Sequence, residues 1–293
     1  MARAKALAFA LGASLLSAWF AAAGALGAAT SVARSIVLPP TLVAEAPATL
    51  AVLDATGRLV PGVDVTLSDG RVVKTDATGR ARLVVPAQLA ELQARIAGGP
   101  IVATSPIVKR PASTDAVIQL TDFPAVIDVQ DQFAISGARF EGDADENHVW
   151  LGGKQALVLA ASPASLAVLP SPDTPLGTSQ LRVEGNGSPA RSVDITVVEI
   201  DAINPPGPLR IGQPATLIVR VRGTAQPLDV ELGNWSPSVI KMLGQTTDGA
   251  APSDPNIRRV RTSGGEKNQA QIQIEPLAQG KFYVRARLAH ERP

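Results

Sequence analysis

The chain has 293 residues, 27 basic against 26 acidic, with 3% aromatics, 25 Gly, 24 Pro and no cysteine. A charge balance this close to neutral gives no electrostatic reason to grip nucleic acid or anionic lipid. The missing thiols exclude disulfides, thiolate catalysis and Cys-type zinc sites. The length suits two or three domains, and a Gly- and Pro-punctuated composition builds many short strands rather than long helices.

In chain order, "MARAK" supplies two positive charges, "ALAFALGASLLSAWFAAA" runs apolar, and "GALGAAT" places small residues at signal-peptidase spacing. Residues 1–29 therefore read as a signal peptide cut near Ala25 to Ala29. The alternative is an uncleaved anchor, since Ala6 to Ala29 carries no charge and is long enough to span a bilayer. Either outcome exports the remainder to the periplasm, the cell surface or the medium. No later stretch is apolar enough to span, so no membrane insertion is expected beyond this segment.

From Ser35 onward the pattern alternates in short bursts, and Val63, Val65 and Leu67 mark a half-buried strand. "DATGRLV" from Asp54 and "DATGRAR" from Asp76 echo one another. In each, Asp can accept from its own backbone two residues on and Gly accepts a positive φ, so both read as tight hairpin connections rather than calcium loops. "AQLAELQARI" fits a helical face imperfectly; Leu92, Ala94 and Ile96 fit a strand entering a hairpin with "PIVATSPIV". "RPASTD" (Arg110–Asp115) and "INPPGP" (Ile203–Pro208) read as linkers. They divide the exported part into 30–110, 120–200 and 205–293, each the size of a small β-sandwich. The expected fold class is all-β, with tandem immunoglobulin-like sandwiches following the N-terminal segment.

The middle piece resembles the IPT/TIG family of immunoglobulin-like domains over about 120–200. The likeness runs through Ile135, Gly137 and Phe140, then Asn147, Val149, Leu151, Gly152, Gly153, Ala156 and Val158, and on to Pro170 and Gly177. Leu151 departs from the Phe common in the family, and the opening is reduced to "DFPAVIDVQDQ". The first piece resembles bacterial Ig-like and carboxypeptidase-regulatory-like modules through "DATGRLVPGVDVTL" and "TDATGRARLVV". These resemblances imply adhesion or spacer sandwiches with no catalytic residues and no cofactor.

The densest polar stretch, "DADENH" at 143–148, invites a metal reading. An EF-hand loop would take Asp143, Asp145 and Asn147 as its first ligands, but needs Gly and Glu where this chain has His148 and Lys154. It reads as a strand corner, with a weak cation site as the alternative. Only His148 and His290 could act as imidazole bases, and no G-x-S-x-G, H-E-x-x-H or phosphate-binding Gly loop occurs. A non-catalytic protein is expected. Alternation turns Val149 and Leu151 inward and Trp150 outward, making Trp150 the candidate contact for a partner, a sugar ring or an adjoining domain. Trp235, between a strand and Ser-Pro, is expected to plug the end of the third sandwich. The expected partner is another envelope or extracellular protein, with carbohydrate as the alternative ligand and an envelope hydrolase with an unrecognised site as a third reading.

Overall fold

The structure, a computed structural model, describes residues 33–97, 99, 102–109, 117–185, 190–244 and 254–289. The export segment and the "RPASTD" linker lie outside the described residues. Where apolar side chains alternate, strands form, and the described elements are strands apart from one 3₁₀ turn.

The first sandwich sets β1 (Ala33–Val37), β3 (Pro47–Asp54) and β6 (Arg80–Val84) against a second sheet. That sheet comprises β2 (Leu42–Val43), β8 (Val102–Val108), β7 (Glu91–Ile96), β4 (Asp64–Leu67) and β5 (Val72–Lys74). Leu42, Leu50, Val65 and Leu92 fill the space between them. The ambiguous "ELQARI" is strand β7, pairing with β8 in the expected hairpin, with Leu92 and Ala94 inward.

Both DATGR repeats close as the sequence predicts. The Asp54 carboxylate accepts from Thr56 N at 2.8 Å and Arg58 N at 3.0 Å, and that of Asp76 from Thr78 N at 2.8 Å and Arg80 N at 3.3 Å. The threonine hydroxyl bond contributes most to holding each carboxyl below its usual range. Gly57 and Gly79 share a positive φ, at 79° and 77°, yet their surroundings differ. A Cβ on Gly57 would meet open space, whereas on Gly79 it would lie 2.7 Å from Leu59 Cβ and Val60 N. Gly57→Ala should therefore cost about 1 kcal/mol of backbone strain. Gly79→Ala should cost about 3 kcal/mol, because overpacking adds to the strain. Urea midpoints of the two variants check this, and equal losses would refute it.

The second sandwich uses β9 (Gln119–Asp122), β10 (Val126–Asp128), β11 (Phe133–Ala138), the 3₁₀ turn Ala144–Glu146, β12 (Asn147–Leu151), β13 (Lys154–Ser162), β14 (Ser165–Leu169), β15 (Gly177–Gly185) and β16 (Arg191–Ile203). Strand order is β9-β11-β14-β13-β12-β15-β16, with β10 parallel to β16. A register irregularity between Val158 and Ala160 bends β13. Its first half pairs with β12 and its second half with β14, curling the sheet around Ile135, Val149, Leu166 and Leu181.

The third sandwich begins inside β16, whose residues Glu199–Ile203 pair with β17 (Ala215–Arg222). β21 (Gln269–Pro276) and β19 (Ile240–Met242) extend that sheet. Opposite lie β20 (Ile257–Arg261), β18 (Asp229–Asn234) and β22 (Val284–Leu288), over Leu217, Val219, Leu232 and Ile274. The Pro-rich run 204–208 therefore connects β16 to β17 within this sandwich, where the sequence reading placed a linker between sandwiches. Buried Glu231 sits between Arg259 and Arg287 on flanking strands. Burial pushes its pKa up, but the two guanidiniums outweigh that and hold it below the usual value.

Candidate functional site

The 143–148 corner braces the second sandwich against the first. Asp143 caps the 3₁₀ turn by accepting from Asp145 N at 3.1 Å. Buried Asn147 accepts from Glu141 N at 2.9 Å and donates to the carbonyls of Glu141 at 2.9 Å and Asp143 at 2.7 Å. So braced, the corner faces the first sandwich. Asp145 pairs with Arg80 at 2.8 Å, Asp143 pairs with Arg82, and Arg80 also donates to the Val158 carbonyl at 2.6 Å. Thr49 Oγ1 donates to the Gly142 carbonyl at 2.8 Å and accepts from Ala144 N at 3.2 Å. A Cβ on Gly142 would lie 2.2 Å from the Pro47 carbonyl oxygen, so only glycine permits this approach. Among the described residues no three His, Asp or Glu side chains converge to hold a metal.

The clamp borders an apolar seam. Val37, Ala51 and Leu53 of the first sandwich pack on Leu159, Ala160 and Ala167 of the second, forming a buried cluster separate from either core. At its edge Thr41 N donates to Ser165 Oγ at 2.8 Å, and the Ser162 and Ser165 hydroxyls donate to the Thr41 carbonyl at 2.5 and 2.8 Å. One strand pairing, Ala161 with Thr49, carries the sheet across. β3 and the second half of β13 are accordingly buried on both faces.

Trp150 is on the outer face of the second sandwich, as alternation predicts. Register places it beside Gln155 on β13 and Arg182 on β15. The Arg182 guanidinium stands 5.0 Å from the Trp150 ring centroid, and the His148 ring lies 5.8 Å away at 50°. Glu184, next outward residue on β15, forms an ion pair with Arg182. Trp150 is half-buried, while His148, Gln155 and Arg182 are exposed. The result is an open sheet face with one anchored indole.

Trp235 overturns its expected role. It is 59% exposed and packs edge-on against Tyr283, also 59% exposed, with ring centroids 6.1 Å apart. The end of the third sandwich is sealed instead by Leu209, Val239 and Phe282, and alternation at Phe282–Tyr283 was the available signal.

The junction between the second and third sandwiches contains a buried acid that sequence reasoning missed. Asp128, on β10 opposite Val198, is 4% exposed and accepts from Gln130 N at 3.0 Å. Burial pushes its pKa up to about 6, aided by the neighbouring Asp131 and opposed by Arg285. Arg285 of the third sandwich pairs with Asp131 at 3.3 Å, and Gln130 reaches Glu199 at 3.3 Å.

No family model matches the chain, and no curated protein matches it. Among solved structures it is similar to the plexin A4 extracellular region, at 13% identity over 87% of this chain and 22% of that one, with a TM-score of 0.31. It is also similar to SGBP-B of the Bacteroides ovatus mixed-linkage glucan utilization locus, solved with a mixed-linkage heptasaccharide. Identity there is 9% over 88% of this chain and 74% of that one, and the TM-score is 0.30. A third is the surface layer protein SbsC, domains 1–6, at 12% identity over 89% and 39% of the two chains and a TM-score of 0.21. Likenesses at these TM-scores decide neither family nor function. Among the described residues no helix is long and apolar enough to cross a membrane.

Proposed function

We propose that this is an exported, non-catalytic binding and structural protein of a bacterial envelope or cell surface, contacting another envelope protein through the Trp150 face. In this reading the second sandwich is an IPT/TIG-like domain and the first a bacterial Ig-like module. The domains divide near 110–117 and within β16 close to Val198. The observation that carries the proposal is Trp150 held by Arg182 on a sheet face that covers no core. Trp and Arg are the side chains enriched at the centres of protein interfaces. The clamped first two sandwiches and the continuous β16 support a stiff body that presents this face without the entropic cost of loose joints.

A carbohydrate reading rests on the same indole. The guanidinium over the ring occupies one of the two surfaces a pyranose could stack on, which favours the protein partner. A hydrolase would need His148 paired with a nucleophile and an orienting acid, whereas its ring lies against Trp150.

The full chain and its Trp150→Ala and Arg182→Ala variants, immobilised against an envelope extract and crosslinked, test this. A cation–π contact at a half-exposed site contributes about 0.5–1 kcal/mol, so both variants should fold. Truncating an interface anchor costs about 2 kcal/mol of binding or more, so the band held by wild type should vanish with Trp150→Ala. Capture of the same partner by that variant would remove the face from consideration. Hits on a glycan array that depend on Trp150 would replace the protein reading with the sugar one.

A further inference from the structure

We propose that the far end of the third sandwich is a docking site for an anionic lipid surface. Three connections meet there: 204–214 between β16 and β17, 235–239 between β18 and β19, and 277–283 between β21 and β22. Hydrogen bonds tie them together. Gly212 N donates to the Pro276 carbonyl at 2.9 Å, Leu277 N to that of Val239 at 2.7 Å, Trp235 N to that of Tyr283 at 3.0 Å, and Tyr283 N to Ser236 Oγ at 3.1 Å. Leu209, Val239 and Phe282 turn inward onto the core. Ile211, Trp235, Leu277 and Tyr283 are left 57%, 59%, 45% and 59% exposed.

Charge selects the occupant. The three connections contain Arg210 and Lys281 and no Asp or Glu. Both cations are exposed, and neither forms an ion pair among the described residues. Asp254, on the neighbouring connection, accepts from Asn256 N at 2.8 Å and keeps its charge, while Glu275 at the end of β21 stands opposite Lys241, so the tip is left with a net positive charge. A protein rim mixes both signs of charge, whereas a surface of phosphate headgroups asks for one. The exposed aromatics are Trp and Tyr, whose apolar rings and single polar handles suit headgroup depth, while Ile211 and Leu277 suit the acyl boundary below. The backbone groups named above already have partners inside the protein, as immersion away from water requires. The near-neutral whole chain hides this local arrangement, and the inference does not rest on the Trp150 face.

The test uses the full chain in two single-tryptophan forms. One carries Trp19→Phe and Trp150→Phe, leaving Trp235; the other carries Trp19→Phe and Trp235→Phe, leaving Trp150. Each is mixed with vesicles of equimolar phosphatidylglycerol and phosphatidylcholine bearing brominated acyl chains. Trp235 emission should shift to the blue and be largely quenched, while Trp150 emission stays unchanged. Arg210→Gln and Lys281→Gln should each weaken vesicle partitioning roughly five-fold. A tip that serves a protein partner leaves Trp235 unquenched, and a chain held only by its N-terminal apolar segment does the same. Either outcome overturns the proposal, as does equal quenching of both indoles or partitioning indifferent to the two cations.

Discussion

Leu159→Asp should part the first two sandwiches while leaving each folded. Leu159 lies at the register irregularity of β13, which turns it out of the second core, yet it is fully buried because the first sandwich covers it. A carboxylate there would stand among Val37, Leu53 and Ala167, and the guanidinium at the border of the seam, Arg80, is already committed to Asp145 and the Val158 carbonyl. An uncompensated buried charge costs several kcal/mol, whereas Leu159→Ala removes about 2–5 kcal/mol by cavity formation. Opening the seam would relieve the aspartate, so separation is the cheaper response. Expected readouts are a larger radius of gyration in solution scattering and protease cleavage between the sandwiches, with β-sheet circular dichroism retained. Leu157→Asp is the control. Leu157 is 41% exposed, and its change should stay within about 0.5 kcal/mol of wild type. Unchanged scattering for Leu159→Asp would mean that the seam is not what joins the two bodies.

Asp128 should make the protein less stable as pH rises from about 4 to about 6. Its folded pKa, about 6, lies above the value of the free side chain, so across that window the native state holds a proton that the unfolded chain has released. The stabilisation is complete below the unfolded pKa and is lost as pH climbs through the folded one. A shift of this size corresponds to about 3 kcal/mol. Asp128→Asn keeps an acceptor for Gln130 N without the charge, and should recover most of that loss above about pH 7. Urea unfolding of wild type and variant at pH values on both sides of the window measures it. Parallel curves would show that Asp128 carries no titration of consequence. Because Arg285 and Asp131 pair across the same junction, local hydrogen exchange at β10 and β22 should follow the same trend.

Much of the local structure was legible in the sequence. Val65 and Leu67 alternate inward on β4, the two DATGR segments turn by their own Asp and Gly, and Leu92 with Ala94 marks β7 as a strand. Trp150 faces outward because a period of two leaves Val149 and Leu151 no other side. Each of these depends on neighbours a few residues away. The sequence also carries a mark of the docked sandwiches. "LAVL" (50–53) and "VLAA" (158–161) are apolar at successive positions, and strands buried on both faces look like this.

Other features needed the chain folded back on itself. Periodicity says that a face is covered but does not name the cover, so nothing in "DADENH" shows that Asp143 and Asp145 are meant for Arg82 and Arg80, more than sixty residues earlier. Gly57 and Gly79 sit in matching motifs, and only Leu59 and Val60, brought against the second, separate their tolerance of a side chain. Trp235 carries the same local signals whether it plugs a sandwich or projects from it; the packing of Leu209, Val239 and Phe282 filled the space first. Backbone conformation and facing are settled by short-range sterics and the alternation of side chains. Burial of charge, docking of one sandwich on another and exposure of an aromatic depend on which distant atoms arrive, and that is a property of the assembled chain.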